Sequence, residues 1–198
     1  MDGFERRRAR KELQILEASE KLFMQYGVKK TSIAEIAKEA NVSQVTIYNY
    51  FENKTNLVHQ VFLHYISKAT EDFVQLVNSS IAFPEKIKHL IFNEKALTQN
   101  MNPDFYAHLM QEYRTDVDFA NRYNEEYVNP LLRKLFDEGK ETGYIDPNIN
   151  PDALLFYVQM LISYAQNLQG IENMLPLAED IVKLFFYGLF GERDTENK

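Results

Sequence analysis

Residues 31–54 read TSIAEIAKEANVSQVTIYNYFENK, and this stretch decides the fold. Ser32 is a good N-cap residue, and Glu35, three positions later, completes the spacing of a capping box. Apolar residues follow at helical spacing, and Asn41 then supplies a turn residue. Ser43 can cap a second helix of about two turns. The stretch therefore predicts two short helices joined by a tight turn.

These two helices meet the packing requirements of a helix-turn-helix. Ala40 is small where the helices would cross closely, and Val42 and Ile47 can fill the space between them. In such a motif the second helix lies in the major groove of DNA. Spacing alone also allows a helical hairpin without a function, so this pattern leaves both interpretations open.

The second helix carries short or planar polar side chains that suit base edges and phosphates. These candidates are Ser43, Gln44, Thr46, Tyr48 and Asn49. Ser43 can instead serve as the cap alone, and Tyr48 can pack on the first helix of the chain. Phe51 is predicted to pack inside rather than to bind.

Helical spacing continues on both sides of this pair. Residues 7–26 have a helical apolar pattern, and Gly27 follows where a left-handed residue would end the helix. Asn53 can cap a fourth helix from Lys54 to about Val77. Further helices are predicted from Pro84, from Pro103, over 116–142 with a kink or break at Pro130, over 153–169 and over 174–190. The expected fold is all-α, with about nine helices.

The sequence resembles the signature of the tetracycline-repressor (TetR) family of transcriptional regulators. The similar runs are 31–37, 40–43, 46–51 and 53–54, with 15–18, 22–23 and 26–27 upstream. The resemblance covers about residues 9–69, and the motif itself about 32–51. It implies an N-terminal helix-turn-helix DNA-binding domain over residues 1–56. A fourth helix would join this domain to an effector-binding and dimerisation domain over 57–198.

The resemblance also implies which residues contact DNA. Tyr48 and Lys54 match positions that hold phosphates, Gln44 matches a position that reads base edges, and the start of the second helix can meet a phosphate. The complete predicted set is Thr31, Ser32, Ser43, Gln44, Val45, Thr46, Tyr48, Asn49 and Lys54. Two positions depart from the family pattern. Tyr50 stands where the family often has a histidine, and Ala34 replaces a longer, often basic residue, so neither is assigned a contact.

The charge of the chain is uneven along its length. Its net charge is −7, yet residues 1–56 carry ten basic and eight acidic residues, which leaves −9 for the remainder. The basic residues are concentrated at positions 6–11, which read RRRARK. This run can be an arm that contacts phosphates or the minor groove, or simply a solvated helix start.

Several classes of protein are excluded or disfavoured. The chain has no cysteine, which excludes a disulfide scaffold, an iron–sulfur cluster and a thiol nucleophile. No catalytic motif or phosphate loop is present, so neither enzyme activity nor a cofactor is expected. Asp104, His108 and Glu112 share one helix face and permit a metal site, but a polar stripe is the commoner interpretation, and no metal is predicted.

A membrane location is also disfavoured. Residues 153–171 are uncharged, but five amide or hydroxyl side chains lie among them, which favours a buried helix of a water-soluble protein. The charged N-terminus leads into no apolar core of secretory length. A cytoplasmic protein is therefore expected.

The part of the chain after the fourth helix predicts a ligand pocket and a dimer. Aromatic and methionine side chains are abundant there, and they suit an adaptable apolar pocket. The candidate pocket residues are Phe62, Tyr65, Phe105, Met110, Tyr113, Tyr127, Phe156 and Met160. The last two helices are apolar nearly all round and call for a partner. The candidate dimer contacts are Leu155, Ile162, Ile181, Phe185 and Leu189.

The sequence thus predicts a homodimeric, ligand-responsive regulator that binds a palindromic double-stranded DNA operator, most simply as a repressor. An unidentified small apolar or amphipathic molecule would be its effector. One alternative is a DNA-binding protein of the same fold without an effector. Another is a helical carrier or enzyme that uses the C-terminal cavity.

Overall fold

The computed structural model describes residues 3–87, 89–90 and 101–165, together with 177, 180, 181 and 184. Regular secondary structure in this part of the chain is helical throughout, which confirms the predicted all-α fold. The described residues form two compact units. The first unit contains residues 3–72 and 101–120, and the second contains 73–87, 89–90 and 121–165.

The helices follow the predicted order. They are α1 (Gly3–Tyr26), α2 (Ile33–Glu39), α3 (Gln44–Phe51), α4 (Lys54–Asn78), α5 (Pro103–Thr115), α6 (Val117–Tyr123), α7 (Asn129–Glu141) and α8 (Pro151–Ala165). Residues 83–87 and 89–90 are also helical. α1 begins four residues before the predicted start at residue 7, so the basic run at 6–11 is helical. α4 ends at Asn78, one residue beyond the predicted end at about Val77.

Local capping signals explain the short helices around the turn. The Ser32–Glu35 capping box forms, and Asn41 adopts a left-handed φ of 50° after α2. The amide of Val42 donates to Ala37 O at 2.9 Å and that of Asn41 to Lys38 O at 3.2 Å, the pattern of a Schellman motif. These bonds satisfy the last carbonyls of α2 and set the turn into α3.

The core of the first unit is built from one face of each helix. α1 contributes Ile15 and Phe23, and α4 contributes Leu57 and Val61, all fully buried. Ile36 and Ala37 of α2, with Ala40 just after it, belong to the same core as Ile47 and Phe51 of α3. α5 adds Phe105 and Leu109 to this core. The helix-turn-helix is therefore held in place by three longer helices.

Pro130 divides the predicted helix over residues 116–142. α6 ends at Tyr123, and residues Asn124–Val128 form a π-helical turn before α7 starts. Pro130 has no amide hydrogen, and its ring would clash with the carbonyl of Glu126 in a regular helix. The wider turn, in which the amide of Asn129 donates to Asn124 O, avoids that clash. The predicted kink or break is confirmed.

The second unit has its own apolar core and one buried cation. Its core comprises Phe83, Ile87, Leu132, Leu135, Phe136, Ile145 and Leu155. The side chain of Lys86 is only 3% exposed, and its ammonium donates to Val77 O at 2.8 Å and to Glu138 Oε2 at 2.7 Å. Lys86 thereby caps the last turn of α4. No sequence signal indicated that this lysine is buried.

Some predicted elements lie outside the described residues. These are residues 91–100, most of the predicted helix over 174–190, and the side chain of Ile162, as well as Phe185 and Leu189. Within the described part of the chain, no helix is both long and apolar enough to cross a lipid bilayer.

Candidate nucleic-acid interface

The exposed face of α3 carries most of the predicted DNA contacts. Gln44, Val45, Tyr48 and Asn49 are exposed, whereas Ile47 and Phe51 are buried in the core of the first unit. Tyr48 is 47% exposed, so its ring is not used for packing alone. The structure therefore presents two amides, one phenol and one branched apolar side chain on the exposed side of α3.

Ser43 and Thr46 form the cap of α3. The hydroxyl of Ser43 accepts the amide of Thr46 at 3.0 Å, and the two hydroxyl oxygens are 2.8 Å apart. The predicted cap is confirmed. The exposed polar side chains of α3 that take no part in this cap are those of Gln44, Tyr48 and Asn49.

A tight turn fixes the other end of α3. Glu52 has a φ of 63° and ψ of −49°, and the amide of Asn53 donates to Phe51 O at 2.6 Å. This geometry is a γ-turn with a positive φ at its central residue, which is rare and strained. Asn53 Oδ1 then accepts the amide of Asn56 at 2.8 Å and begins α4, as predicted. The short connection leaves α3 little freedom to move independently of α4.

The start of α2 differs from the prediction. Thr31 is only 2% exposed, and its hydroxyl donates to Gly27 O at 2.7 Å, so its side chain stabilises the turn and is not free for a phosphate. Ser32 is exposed, but its amide and its hydroxyl both donate to Glu35 Oε2 at 2.7 Å. The carboxylate of Glu35 thus engages both polar groups of Ser32, and a phosphate contact at Ser32 stays a prediction. The side chain of Thr31 is therefore a structural residue, and a contact between the amides at the start of α2 and a phosphate stays a prediction.

Lys54 is engaged inside the first unit. Its ammonium donates to Val28 O at 2.7 Å and to Thr31 O at 2.6 Å, which ties the first residue of α4 to the turn between α1 and α2. Two of its three N–H donors are used in this way. Only the third donor is available for the predicted contact with a phosphate. Lys54 mainly positions the start of α4 against the turn between α1 and α2.

The start of α5 is hydrogen-bonded to the same turn. The amide of Asn102 donates to Met24 O at 2.9 Å, and Asp104 Oδ2 accepts the amide of Lys29 at 2.9 Å. Gly27, with a φ of 84°, makes this approach possible because a Cβ there would lie 2.8 Å from Asn102 Oδ1. The Asn102–Pro103 pair could have indicated the N-cap of α5. No local signal indicated that Asp104 pairs with Lys29, 75 residues earlier in the chain.

We expect the bond between Asp104 and Lys29 to weaken in acid. Burial raises the pKa of Asp104, but the bonds from the Lys29 amide and ammonium outweigh it and hold the pKa below its usual value. Because the pKa of Asp104 is lower in the folded state than in the unfolded state, its bond to Lys29 stabilises the protein at pH values above the unfolded pKa of about 3.9. This stabilisation is lost as the pH falls through the folded pKa. Urea unfolding should show the stability advantage of the wild type over Asp104→Asn shrinking as pH drops from 6 towards 3. An advantage that stays constant over this range would contradict the expectation.

Five predicted pocket residues belong to the packed first unit. Phe62 and Phe105 are buried in its core, and Tyr65, Met110 and Tyr113 pack against it. The ring centroids of Tyr65 and Phe105 are 6.1 Å apart, and those of Phe62 and Phe119 are 5.7 Å apart. Phe62 and Phe105 pack as core residues here, and their role in an effector pocket stays a prediction. A surface cleft of about 540 Å³ does occur in this unit, but Glu17, Glu20, Lys21, Met24, Gln25 and Lys68 line it.

The side chains of α8 for which a role was predicted differ in their exposure. Leu155, predicted as a dimer contact, is 6% exposed and packs in the core of the second unit. Phe156 and Met160, predicted as pocket residues, are 69% and 49% exposed. Tyr127 is exposed as well and packs against Tyr123, with ring centroids 5.8 Å apart. The apolar sequence of α8 did not show which side faces inward.

The three residues weighed as metal ligands have other partners. Glu112 Oε2 lies 2.8 Å from His59 Nδ1, and His108 Nδ1 lies 2.7 Å from Asp104 O. Among the described residues, no group of three or more histidine, aspartate or glutamate side chains could hold a metal ion. These contacts connect α5 with α4 and stabilise α5 itself.

The chain was compared with known proteins. A sequence model of "Bacterial regulatory proteins, tetR family" matches residues 15–61, which include α2, α3 and the start of α4. An uncharacterised HTH-type transcriptional regulator of Bacillus subtilis, YhgD, is 36% identical over 149 residues, which are 74% of this chain and 78% of YhgD. The chain belongs to the tetR family. It is a DNA-binding transcriptional regulator of that family.

Two further similarities extend beyond the helix-turn-helix of this tetR-family regulator. The transcriptional regulator TtgR of Pseudomonas putida is 32% identical over 165 residues, which are 75% of this chain and 77% of TtgR. The crystal structure of FadR from Bacillus subtilis, solved with stearoyl-CoA, has a TM-score of 0.62 at 19% identity. The match covers 89% of this chain and 98% of FadR. The FadR similarity shows that the fold is shared along nearly the whole chain.

Gln44 is expected to be the strongest base-reading residue of this tetR-family regulator. Its exposed amide can donate and accept in one plane, as adenine recognition requires. Gln44→Ala should cost ~1–3 kcal/mol of binding free energy on a selected duplex and far less on a random duplex. Fluorescence anisotropy with both duplexes measures the difference, and an unchanged melting temperature controls for folding. Equal losses on both duplexes would refute a base-reading role.

Proposed function

We propose that the protein is a homodimeric repressor that binds a palindromic operator and is released by a small apolar or amphipathic effector. The observation that carries this proposal is the exposed polar face of α3, held by caps at both ends in a chain of the tetR family. One α3 helix spans eight residues and can read only a few base pairs. A second copy related by a two-fold axis would double the site and make it palindromic.

An exposed apolar stripe on α8 supports the dimer. Phe156, Met160 and Tyr164 follow one another at intervals of four residues and are each about half exposed or more. Residues at this spacing lie on one side of a helix, so their side chains form a continuous surface. Packing against the same stripe of a second copy of the protein is the simplest way to bury this surface. Ile181, also predicted at the interface, is helical and partly buried.

Charge placed in this stripe is expected to separate the dimer. Phe156→Glu should turn a dimer into a monomer in sedimentation velocity and weaken operator binding at least about tenfold, because two half-sites are then bound independently. Val117→Glu is the matched control, since Val117 is also exposed and apolar but lies on α6. A Phe156→Glu protein that still sediments as a dimer would refute this interface.

The release mechanism follows from the contacts of α4. It is one continuous helix from Lys54 to Asn78, and it runs from the first unit into the second. Its first residue holds Val28 O and Thr31 O, and Asn56 holds the end of α3. A ligand that shifts the far end of α4 therefore acts on the turn and on α3 together. A dimer needs its two α3 helices ~34–36 Å apart, so a small tilt lowers affinity.

The required coupling between ligand and DNA is modest. A coupling free energy of ~1–3 kcal/mol reduces operator affinity by about 5- to 150-fold. The net charge of −9 outside residues 1–56 favours a cationic or neutral effector. FadR was solved with stearoyl-CoA, an amphipathic anion, so that molecule and a lipophilic cation are the two probes to compare first.

Selection of duplexes from a random pool with the purified protein tests the proposal. The expected product is a palindrome whose half-sites are both protected in footprinting. Calorimetry with each probe, with and without the selected duplex, then tests release. Ligand and operator must weaken each other's binding by the same factor. A protected single half-site would refute the dimeric repressor, and a ligand with equal affinity in both states would favour a regulator without effector control.

A further inference from the structure

The basic run before the helix-turn-helix has a defined place in the structure. Residues 3–10 form the exposed first turns of α1, and the guanidinium carbon of Arg8 lies 5.8 Å from the centroid of the Tyr50 ring. Tyr50 is in the last turn of α3 and is partly buried, with its ring centroid 6.2 Å from that of Phe51. A guanidinium at this distance from an aromatic face is attracted by the ring quadrupole. One basic residue of the run is thus held against α3.

The distribution of positive charge in and near α3 indicates a role for this contact. Residues 44–51 include no lysine or arginine, so α3 itself brings no positive charge to DNA. The ammonium of Lys54 already donates to two carbonyls. Because each neutralised phosphate needs a cation nearby, the cation must come from another element. Residues 5–12 carry five basic side chains against two glutamates, Glu5 and Glu12, and they remain net positive.

We propose that Arg8 is a phosphate contact of the DNA interface, held over the last turn of α3 by the ring of Tyr50. The planar guanidinium can lie on the ring while its N–H groups point outward along its edge. Tyr50 serves as the platform and does not itself hold the phosphate. The inference rests on the proposed operator binding.

The position of Arg8 on α1 separates it from the other arginines. Ile15, seven residues later on the same face, is fully buried, so Arg8 extends the face of α1 that packs in the core of the first unit. Arg10 is two residues away and lies roughly 200° around the helix. Arg10→Gln therefore removes the same charge from the opposite side of the same helix and is the matched control.

Salt dependence of binding to the selected duplex tests the proposal. Arg8→Gln removes one phosphate contact per protomer, so the slope of log K against log salt should become shallower by roughly two per dimer. Between about 50 and 200 mM KCl, the wild-type affinity should fall about tenfold more than that of the variant. Arg10→Gln should change the slope by less than half as much. Equal slopes for the two variants would overturn the proposal.

Variants of Tyr50 test the platform separately. Tyr50→Phe keeps the ring and should retain the wild-type slope of log K against log salt. Tyr50→Leu should make this slope shallower, and adding Arg8→Gln to Tyr50→Leu should change the slope little further. A loss in Tyr50→Phe as large as in Tyr50→Leu would show that the hydroxyl is the contact and would overturn the proposal. If Tyr50→Leu does not fold, Tyr50→Phe and Arg8→Gln still decide. A wild-type protein that selects no duplex would refute operator binding itself, a result distinct from equal slopes.

Discussion

Gly27→Ala is expected to destabilise the protein by about 3 kcal/mol, because two separate costs meet at this residue. Gly27 has a φ of 84°, which disfavours any residue with a Cβ. The added Cβ would also lie 2.8 Å from Asn102 Oδ1 and 3.0 Å from both Asp104 Cβ and Asp104 Oδ2. The start of α5 would have to move away from the turn between α1 and α2. Thermal unfolding should show a decrease in Tm of roughly 6–12 °C.

Substitutions at two other glycines measure the backbone cost and the steric cost separately. Gly143 has a φ of 79° but no described atom within 4 Å of an added Cβ, so Gly143→Ala should cost only the backbone term, about 1–2 kcal/mol. Gly139 is helical, and a Cβ there would lie 2.7 Å from Ile145 Cδ1 and from Phe83 Cζ, so Gly139→Ala reports the steric term in the second unit. If Gly27→Ala costs no more than Gly143→Ala, the close approach of α5 does not constrain the turn.

Glu138→Gln is expected to destabilise the second unit by about 2–3 kcal/mol, because it leaves the buried ammonium of Lys86 without its counter-charge. Lys86 keeps only Val77 O and an uncharged amide as partners in this variant. Glu138 is 27% exposed, which places the expected cost below that of a fully buried pair. Urea unfolding should report the loss as a lower midpoint with an unchanged slope.

A double variant and an exposed pair provide the controls. Lys86→Met removes the cation itself, so adding Glu138→Gln to it should cost little further stability. The exposed pair of Arg133 and Asp152, with a nitrogen–oxygen distance of 2.6 Å, lies in the same unit, and Asp152→Asn should cost less than about 1 kcal/mol. Additive losses in the double variant would show that Lys86 and Glu138 do not depend on each other.

The elements around the helix-turn-helix were predictable because their signals are local. The capping box of Ser32 and Glu35, the cap at Ser43 and the cap at Asn53 each involve residues at most three positions apart. Gly27 ends α1 for an equally local reason, its left-handed φ. Hydrophobic periodicity also predicted helices where α1 and α4 form. These features follow from the order of residues alone.

Side-chain direction within apolar segments was not predictable in the same way. In α8, Leu155 and Phe156 are adjacent and both apolar, yet one is buried and the other exposed. A helix with apolar residues on every side has no polar face to show which side points outward. Phe62 and Phe105 pack in the core of the first unit, which their aromatic character alone did not show.

The sequence by itself determined the all-α class, the helix-turn-helix and the exposed face of α3, because caps and periodicity act over a few residues. Only the tertiary structure decided what Lys54, Asp104, Lys86 and Arg8 do. Each of these charged side chains has a partner 9 to 75 residues away in the chain. Lys54 pairs with Val28 and Thr31, Asp104 with Lys29, Lys86 with Val77 and Glu138, and Arg8 with Tyr50. A long polar side chain can reach many places, and which one it reaches depends on helices brought together by burial of apolar surface.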